Sequence, residues 1–231
     1  MLSAYSIRMT LRKPRAVLFD LDGTLADTAP DLAGAVNMLR TARGLTPTDY
    51  ALLRPVASAG ARGLIGAAFG ITPQDAEYPS LRDQFLENYA THIAVHSHLF
   101  AEVPALLQGL EQQSITWGIV TNKVTYLTEK LVPQIGLAQA ACVICGDTTA
   151  HPKPHPAPLL EAANRIHLPP ESCWYVGDDL RDIQAGHAAG MTTIAAGWGY
   201  CGATPTVSWG ADITIDSPYQ LLDLIAQASA A

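Results

Sequence analysis

Two aspartates, one residue apart, end the first apolar run of the chain. Residues Ala16–Phe19 are typical of a buried strand, and Asp20, Asp22 and Gly23 follow them. Side chains alternate along a strand, so both carboxylates share a side only where the strand stops, and glycine permits a sharp exit. Two like charges about 4 Å apart repel by roughly 4 kcal/mol at an effective dielectric constant near 20, and a bound divalent cation reverses this repulsion. The pair predicts a metal-assisted catalytic site.

Two later segments carry groups suited to binding phosphate. Thr121 and Asn122 follow the apolar run 117–120, where a hydroxyl, an amide and backbone N–H groups are available as donors. Lys153 lies in a proline-rich stretch that restricts the backbone and presets the position of its ammonium. Both segments are candidate phosphate-binding elements.

A second acidic cluster follows the apolar run 174–176. Asp178, Asp179 and Asp182 place three carboxylates in five residues, where a helix is expected to begin. Helix capping explains one of the first two, but not all three. Because ligands bind at the carboxyl ends of parallel strands, we expect these groups to converge with Asp20 and Asp22.

The apolar runs alternate with helical patterns, as in a doubly wound α/β fold with a parallel sheet. The predicted strands cover residues 16–19, 117–120, 142–145, 174–176 and 193–196, with an edge strand at 213–215. The predicted helices cover residues 104–113, 124–134, 157–166, 180–189 and 218–228.

One block interrupts this alternation. Between residues 27 and 100 no strand-like run is visible, and residues 31–42, 59–69 and 75–93 have helical patterns. The flanks of the block are polar or turn-like. We therefore expect a core formed by residues 1–26 and 101–231, and an inserted helical cap formed by residues 27–100.

Composition excludes several classes of partner. With 14 Lys+Arg against 21 Asp+Glu among 231 residues, the net charge of −7 argues against a nucleic-acid surface. No apolar run approaches the length of a membrane span, and residues 1–15, which include Arg8, contain no signal-peptide core. A cytoplasmic protein without membrane or nucleic-acid partners is expected. Its oligomeric state is not indicated.

Four cysteines are few for this length, and we expect them to be reduced. Cys142 and Cys145 have a Cys-x-x-Cys spacing, but no second close pair completes a zinc site. A metal or redox role for this pair is therefore disfavoured.

The motifs together resemble the haloacid dehalogenase superfamily of phosphohydrolases over nearly the whole chain. The segment Asp20-Leu21-Asp22-Gly23-Thr24 is similar to its first motif, Thr121 to its second and Lys153 to its third. The fourth motif is matched by Gly177, Asp178 and Asp182. The helical block resembles the small cap of that superfamily.

Other segments are similar to particular groups within the superfamily. Residues 25–32 resemble phosphoglycolate phosphatases, whereas residues 94–100, 120–123 and 177–183 resemble N-acetylmuramic acid 6-phosphate phosphatases more closely. The resemblance implies a phosphatase that acts on a small phosphorylated metabolite. N-Acetylmuramate 6-phosphate is the leading substrate and 2-phosphoglycolate the alternative.

The resemblance also implies roles for the core residues. Asp20 attacks phosphorus and forms an aspartyl phosphate, while Asp22 protonates the leaving oxygen and then activates water. Mg²⁺ takes oxygen ligands from Asp20, the Asp22 carbonyl and Asp178. Thr121 and Lys153 hold the phosphate.

The spacing of the fourth motif leaves its remaining acids open. Asp179 and Asp182 are candidates for direct or outer ligands of the metal, with Asp182 favoured as an outer residue that orients the others.

Single residues bear on four rival functions. A dehalogenase does not need Asp22, and a phosphonatase needs a cap lysine, whereas residues 27–100 contain none. A sugar phosphomutase retains both aspartates and stays open. A receiver domain would lack a cap of this size and would accept phosphate after a later strand.

The cap is expected to select the substrate. Arg62 lies among small residues at 57–63, where a guanidinium can bind a carboxylate. His96 and His98 lie near the second flank of the cap and are further candidates for contact with substrate. Because both candidate substrates carry a carboxylate, Arg62 does not distinguish between them.

Overall fold

The computed structural model describes residues 11–202 and 205–228, so Arg8 lies outside the described part. The strands are β1 (Ala16–Phe19), β2 (Ala26–Asp27), β3 (His98–Leu99), β4 (Thr116–Val120), β5 (Val143–Ile144), β6 (Cys173–Gly177), β7 (Thr192–Ala196) and β8 (Ile213–Ile215). Six of them form a parallel sheet in the order β5-β4-β1-β6-β7-β8. The chain builds outward from β1 in both directions, which confirms the predicted doubly wound α/β fold.

Helices pack on both faces of the sheet. They are α1 (Ala29–Ala42), α2 (Tyr50–Leu53), α3 (Gly60–Phe69), α4 (Tyr78–Thr91), α5 (Val103–Gln112), α6 (Thr125–Gln134), α7 (Ala157–Arg165), α8 (Leu180–Ala189) and α9 (Tyr219–Gln227). On β1, Val17 and Phe19 face one apolar cluster, which α5 and α9 cover, whereas Ala16 and Leu18 face another, which α7 and α8 cover. A strand buried on both faces is continuously apolar, and this is the signal that the sequence carries.

The segment between β2 and β3 contains α1 to α4 and a 3-10 helix, Arg54–Ala59. Helices α1 and α4 pack against each other, and Phe85 and Tyr89 of α4 are buried. The sequence predicted no strand here, but β2 and β3 form a short antiparallel pair where the segment leaves and rejoins the sheet region. Strands of two residues are too short for alternation to reveal them.

Two further observations bear on the sequence predictions. Among the described residues, no helix is long and apolar enough to cross a membrane. Cys142, Cys145, Cys173 and Cys201 all have free thiols, and the first three are buried.

Candidate active site

Three buried carboxylates meet at the carboxyl end of the sheet. Asp20 follows β1 and Asp178 follows β6, and these two strands are neighbours in the sheet. Carboxylate oxygens of Asp20, Asp178 and Asp182 all lie within 4.8 Å of one another, and each residue is buried. The sequence thus predicted correctly that the first and fourth motifs converge, and the cluster has the composition of a divalent metal site.

Glycine makes this convergence possible. Gly23 has φ of +85°, and a Cβ built on it would lie 2.2 Å from Oδ2 of Asp178. A Cβ on Gly199 would likewise lie 2.2 Å from Cβ of Asp178. Any larger residue at either position would therefore push the loop or the carboxylate out of place.

Lys153 joins the acidic cluster from the third motif. Its Nζ lies 2.9 Å from Oδ1 of Asp20 and 2.8 Å from Oδ1 of Asp182, and it donates to the Val120 carbonyl and the Tyr175 hydroxyl. Burial lowers the pKa of Lys153, but the two carboxylates outweigh burial and hold the pKa above its ordinary value. The ammonium is therefore a fixed positive charge in the centre of the site.

The side chain of Asn122 holds the loop that carries Lys153. Its amide donates to the Lys153 carbonyl at 2.9 Å and accepts from the Lys153 N–H at 2.9 Å. The hydroxyl of the buried Thr121 accepts a hydrogen bond from the Lys123 N–H. Thr121 therefore still has a donor hydrogen for a ligand, whereas Asn122 is engaged in positioning the lysine.

The electrostatics of the cluster favour a cation. Burial raises the pKa of Asp20 to about 7, with Lys153 opposing the shift and Asp182 adding to it. Burial, and then Asp20 and Asp182, hold the pKa of Asp178 well above its usual range. Within the described residues, Oδ1 of Asp20 is the one buried side-chain oxygen or nitrogen with no aligned hydrogen bond. Its only close charged partner there is Lys153, so it retains coordination capacity.

Asp22 has a separate environment. Its Oδ1 lies 3.0 Å from Nζ of Lys123 and accepts a hydrogen bond from the Thr28 hydroxyl. Its carboxylate is not part of the three-acid cluster. The two aspartates of the first motif therefore point to different partners.

Asp178 is anchored by the segments around it. It accepts hydrogen bonds from the Thr24 hydroxyl at 3.1 Å, the Ser58 hydroxyl at 3.1 Å and the Tyr200 N–H at 2.9 Å. Ser58 belongs to the 3-10 helix of the inserted segment, so that segment touches the acidic cluster directly.

Asp179 has a structural partner. It caps the N-terminus of α8, and its carboxylate binds Nε of Arg181 at 2.7 Å. Asp182 completes the capping box by accepting from the Asp179 N–H. Despite burial, the hydrogen bonds from Arg181 lower the pKa of Asp179. The guanidinium of Arg181 also donates to the Ser58 carbonyl at 2.8 Å.

A cavity of about 320 Å³ opens above these groups, between the sheet and the inserted helices. Asp20, Asp22 and Lys153 line its base, and Arg62 and Arg82 line it from the inserted segment. Much of the remaining wall is apolar, formed by side chains that include Leu32, Ala57, Phe85, Leu86, Tyr89 and Leu127. The cavity therefore offers a charged end and an apolar wall.

The residues of the inserted segment that the sequence singled out have different positions. Arg62 is exposed and lines the cavity. His96 and His98 are exposed and lie outside the cavity lining, and Nδ1 of His98 bonds to the His96 carbonyl. The N–H of His96 donates to the buried Asp31 carboxylate on α1. This contact ties the last residues of the inserted segment to its first helix.

Three residues of the site were not singled out from the sequence. Lys123, Tyr89 and Arg181 all line the cavity, and each bonds across two segments. Of the three, Lys123 could have been predicted from the sequence. It directly follows Thr121 and Asn122, which already formed a candidate phosphate-binding motif. Nothing in the local pattern marks Tyr89, since helices commonly bury an aromatic side chain.

Comparison with known proteins agrees with this geometry. The family model described as haloacid dehalogenase-like hydrolase matches residues 17–196. A crystal structure of a predicted phosphoglycolate phosphatase from Haemophilus somnus 129pt is 25% identical, with a TM-score of 0.79, and covers 92% of this chain and 98% of that one.

Two curated relatives are more similar in sequence. A phosphoglycolate phosphatase of Xanthomonas campestris pv. campestris is 48% identical over 91% of this chain and 96% of its own length. An N-acetylmuramic acid 6-phosphate phosphatase of Pseudomonas putida is 43% identical over 93% of this chain and 97% of its own length. The chain belongs to the haloacid dehalogenase-like hydrolases, and it is a phosphoric monoester hydrolase.

Proposed function

We propose that the protein is a Mg²⁺-dependent phosphatase that hydrolyses a small carboxylated phosphate ester through an aspartyl phosphate on Asp20. The observation that carries this proposal is the buried cluster of Asp20, Asp178 and Asp182 around Lys153, at the charged end of the cavity. Perturbed carboxylates in a cleft, next to a fixed ammonium, are typical of a catalytic site rather than a structural one.

The residues present fit a divalent cation. When all are ionised, four carboxylates and two ammonium groups leave two formal negative charges in the site; they are Asp20, Asp22, Asp178, Asp182, Lys123 and Lys153. Asp20, the Asp22 carbonyl and Asp178 would hold Mg²⁺, which when bound draws the phosphate to the site and offsets its charge. Asp182 is engaged by Lys153 and Asp179 by Arg181, so these two acids orient the others.

The reaction divides into two displacements. A carboxylate oxygen of Asp20 forms a bond to phosphorus as the bond to the leaving oxygen breaks, and Asp22 gives that oxygen its proton. Asp22 then removes a proton from water, whose oxygen attacks phosphorus and releases Asp20. Thr121 donates a hydrogen bond to a phosphate oxygen in both steps, and the ammonium of Lys153 beside Asp20 offsets the charge of the phosphate. These roles match the separate environments of the two aspartates.

The cavity supports a substrate larger than a two-carbon acid. Its volume of about 320 Å³ and its apolar wall resemble sites that bury sugar-sized ligands. We propose that residues 27–100 act as a cap that selects the alcohol part of the ester. N-Acetylmuramate 6-phosphate, whose acetyl and lactyl groups would contact this wall, is the leading candidate. The 48% identical relative favours 2-phosphoglycolate as the alternative.

A substrate panel tests this ranking. We expect the highest kcat/KM for phosphate release with N-acetylmuramate 6-phosphate, and less with 2-phosphoglycolate or N-acetylglucosamine 6-phosphate. The last compound is a matched control because it lacks the lactyl carboxylate. A preference for 2-phosphoglycolate would reverse the ranking. Formation of an isomeric phosphate from a sugar phosphate, dependent on added bisphosphate, would favour a mutase.

Arg62 is expected to bind the substrate carboxylate. It is exposed, lines the cavity and has no ion-pair partner among the described residues. Arg62→Ala should cost about 1.5–3 kcal/mol of transition-state stabilisation with N-acetylmuramate 6-phosphate, the worth of a charge-assisted hydrogen bond, which lowers kcat/KM by roughly 10- to 150-fold. Turnover of N-acetylglucosamine 6-phosphate should be nearly unchanged. Arg165→Ala, at an exposed position outside the cavity lining, serves as control. An equal decrease in kcat/KM for both sugar phosphates would mean that Arg62 binds the phosphate group or supports the fold.

A further inference from the structure

Lys123 occupies an unusual position between the first motif and the inserted helices. Its side chain is only 6% exposed. The Nζ atom lies 3.0 Å from Oδ1 of Asp22 and donates to the Tyr89 hydroxyl at 3.0 Å. It also sits 4.4 Å from the centroid of the Tyr89 ring. The ammonium is thus enclosed by one carboxylate from the core and one aromatic residue from α4.

The ammonium has donor capacity left. A lysine has three N–H donors, and the contacts to Asp22 and Tyr89 account for two of them. Within residues 11–202 and 205–228, no other acceptor bonds to Nζ of Lys123. Because Lys123 also lines the cavity, the third donor is available to a bound molecule.

The position of the third N–H donor of Lys123 indicates which part of a phosphate ester it would contact. Lys153 already lies against Asp20, on the side of the attacking oxygen, whereas Lys123 lies against Asp22. In the proposed reaction, Asp22 hydrogen-bonds the oxygen that leaves phosphorus. A donor about 3 Å from Asp22 therefore faces the leaving side of the ester rather than the nucleophile.

Burial of the Lys123 ammonium destabilises the folded protein unless its contacts replace the lost solvation. An ammonium moved out of water loses several kcal/mol of solvation, which one carboxylate and one hydroxyl offset only in part. An apolar residue could fill this space at lower cost to folding. An ionisable group held in a cleft beside the proposed catalytic residues is a candidate for a functional role.

We propose that Lys123 is a further catalytic residue, whose ammonium donates a hydrogen bond to the leaving oxygen and offsets the negative charge that develops there. The phosphorus–oxygen bond breaks with its electron pair moving to that oxygen, and the proton comes from Asp22. Lys123 keeps its own protons throughout. This inference rests on the proposed function, because it requires Asp22 to act on the leaving group.

Leaving-group dependence tests the proposal. We expect Lys123→Met to lower kcat/KM only a few-fold for p-nitrophenyl phosphate, whose leaving group needs little stabilisation. The loss should increase through phenyl phosphate to glycerol phosphate, where we expect roughly 10²- to 10³-fold, the usual effect of removing one oxyanion donor. Lys130→Met, on the exposed face of α6, is the matched control and should show no trend. A loss of equal size for all three esters would overturn the proposal.

A second variant guards against a misfolded protein. Lys123→Gln keeps an N–H donor but removes the charge, so its losses should follow the same order and be smaller than those of Lys123→Met. Thermal unfolding curves would show whether both variants are folded. A Gln variant that is folded and shows no dependence on the leaving group would also overturn the proposal.

A double-mutant cycle separates direct contact from an effect through Asp22. In an Asp22→Asn background, Lys123→Met should lower kcat/KM for phenyl phosphate by a further 10-fold or more if Lys123 touches the leaving oxygen. No further loss would show that Lys123 acts only by holding Asp22, and the proposal would be wrong. Failure of the wild-type enzyme to release phosphate from any ester would instead reject the proposed function.

Discussion

Asp20→Asn is expected to lower kcat for phosphate release by roughly 10⁴- to 10⁶-fold, the range seen when a nucleophile is removed. The substitution is nearly isosteric, so the contacts of the buried side chain are largely kept. An amide cannot form the aspartyl phosphate, and rapid-quench trapping with labelled substrate should detect no phosphoprotein. The fold should persist, because removal of one of several crowded carboxylates relieves repulsion within the cluster.

The matched control for this variant is Asp223→Asn on α9, where the aspartate is exposed and far along the chain from the motifs. It should retain wild-type kcat and form phosphoprotein normally. If Asp20→Asn still formed a covalent phosphoenzyme, the nucleophile would be another residue. Residual turnover above about one part in a thousand would also count against the assignment.

Removal of metal is expected to stop turnover. Excess chelator should reduce phosphate release to background, and added Mg²⁺ should restore it, because a dianionic substrate must enter a site that already has excess negative charge. Ca²⁺ should inhibit, since its larger and looser coordination shell misplaces the nucleophile. Full activity in excess chelator would contradict the metal site.

Binding can be measured apart from turnover. Mg²⁺ at about 100 times its Kd should stabilise the folded protein by about 2.7 kcal/mol, visible as a higher Tm. Asp178→Asn should largely remove this shift, because one of the three clustered carboxylates loses its charge. Asp223→Asn should leave the shift unchanged. An equal shift in the Asp178 variant would place the metal elsewhere.

Much of the fold was predictable because its signals are local. Strands β1, β4 and β6 are buried on both faces over almost their whole length, so each contains a continuous apolar run that polar residues follow. Their parallel arrangement follows from the helices between them. The sequence did not predict the pair β2–β3. Each strand has only two residues and is defined by its pairing with the other strand, at the opposite end of the inserted segment.

The sequence by itself determined the candidate site residues and the end of the sheet at which they gather. Asp20, Thr121, Lys153 and Asp178 follow strands or lie in the loops at that end, and the topology rule for parallel sheets places such groups together. Only the tertiary structure decided how the charges pair. Lys153 lies against Asp20, whereas Lys123 lies against Asp22 and Tyr89, a residue 34 positions away. Pairing of this kind depends on distances of about 3 Å between segments that are remote in the chain, and no local pattern of residue types encodes them.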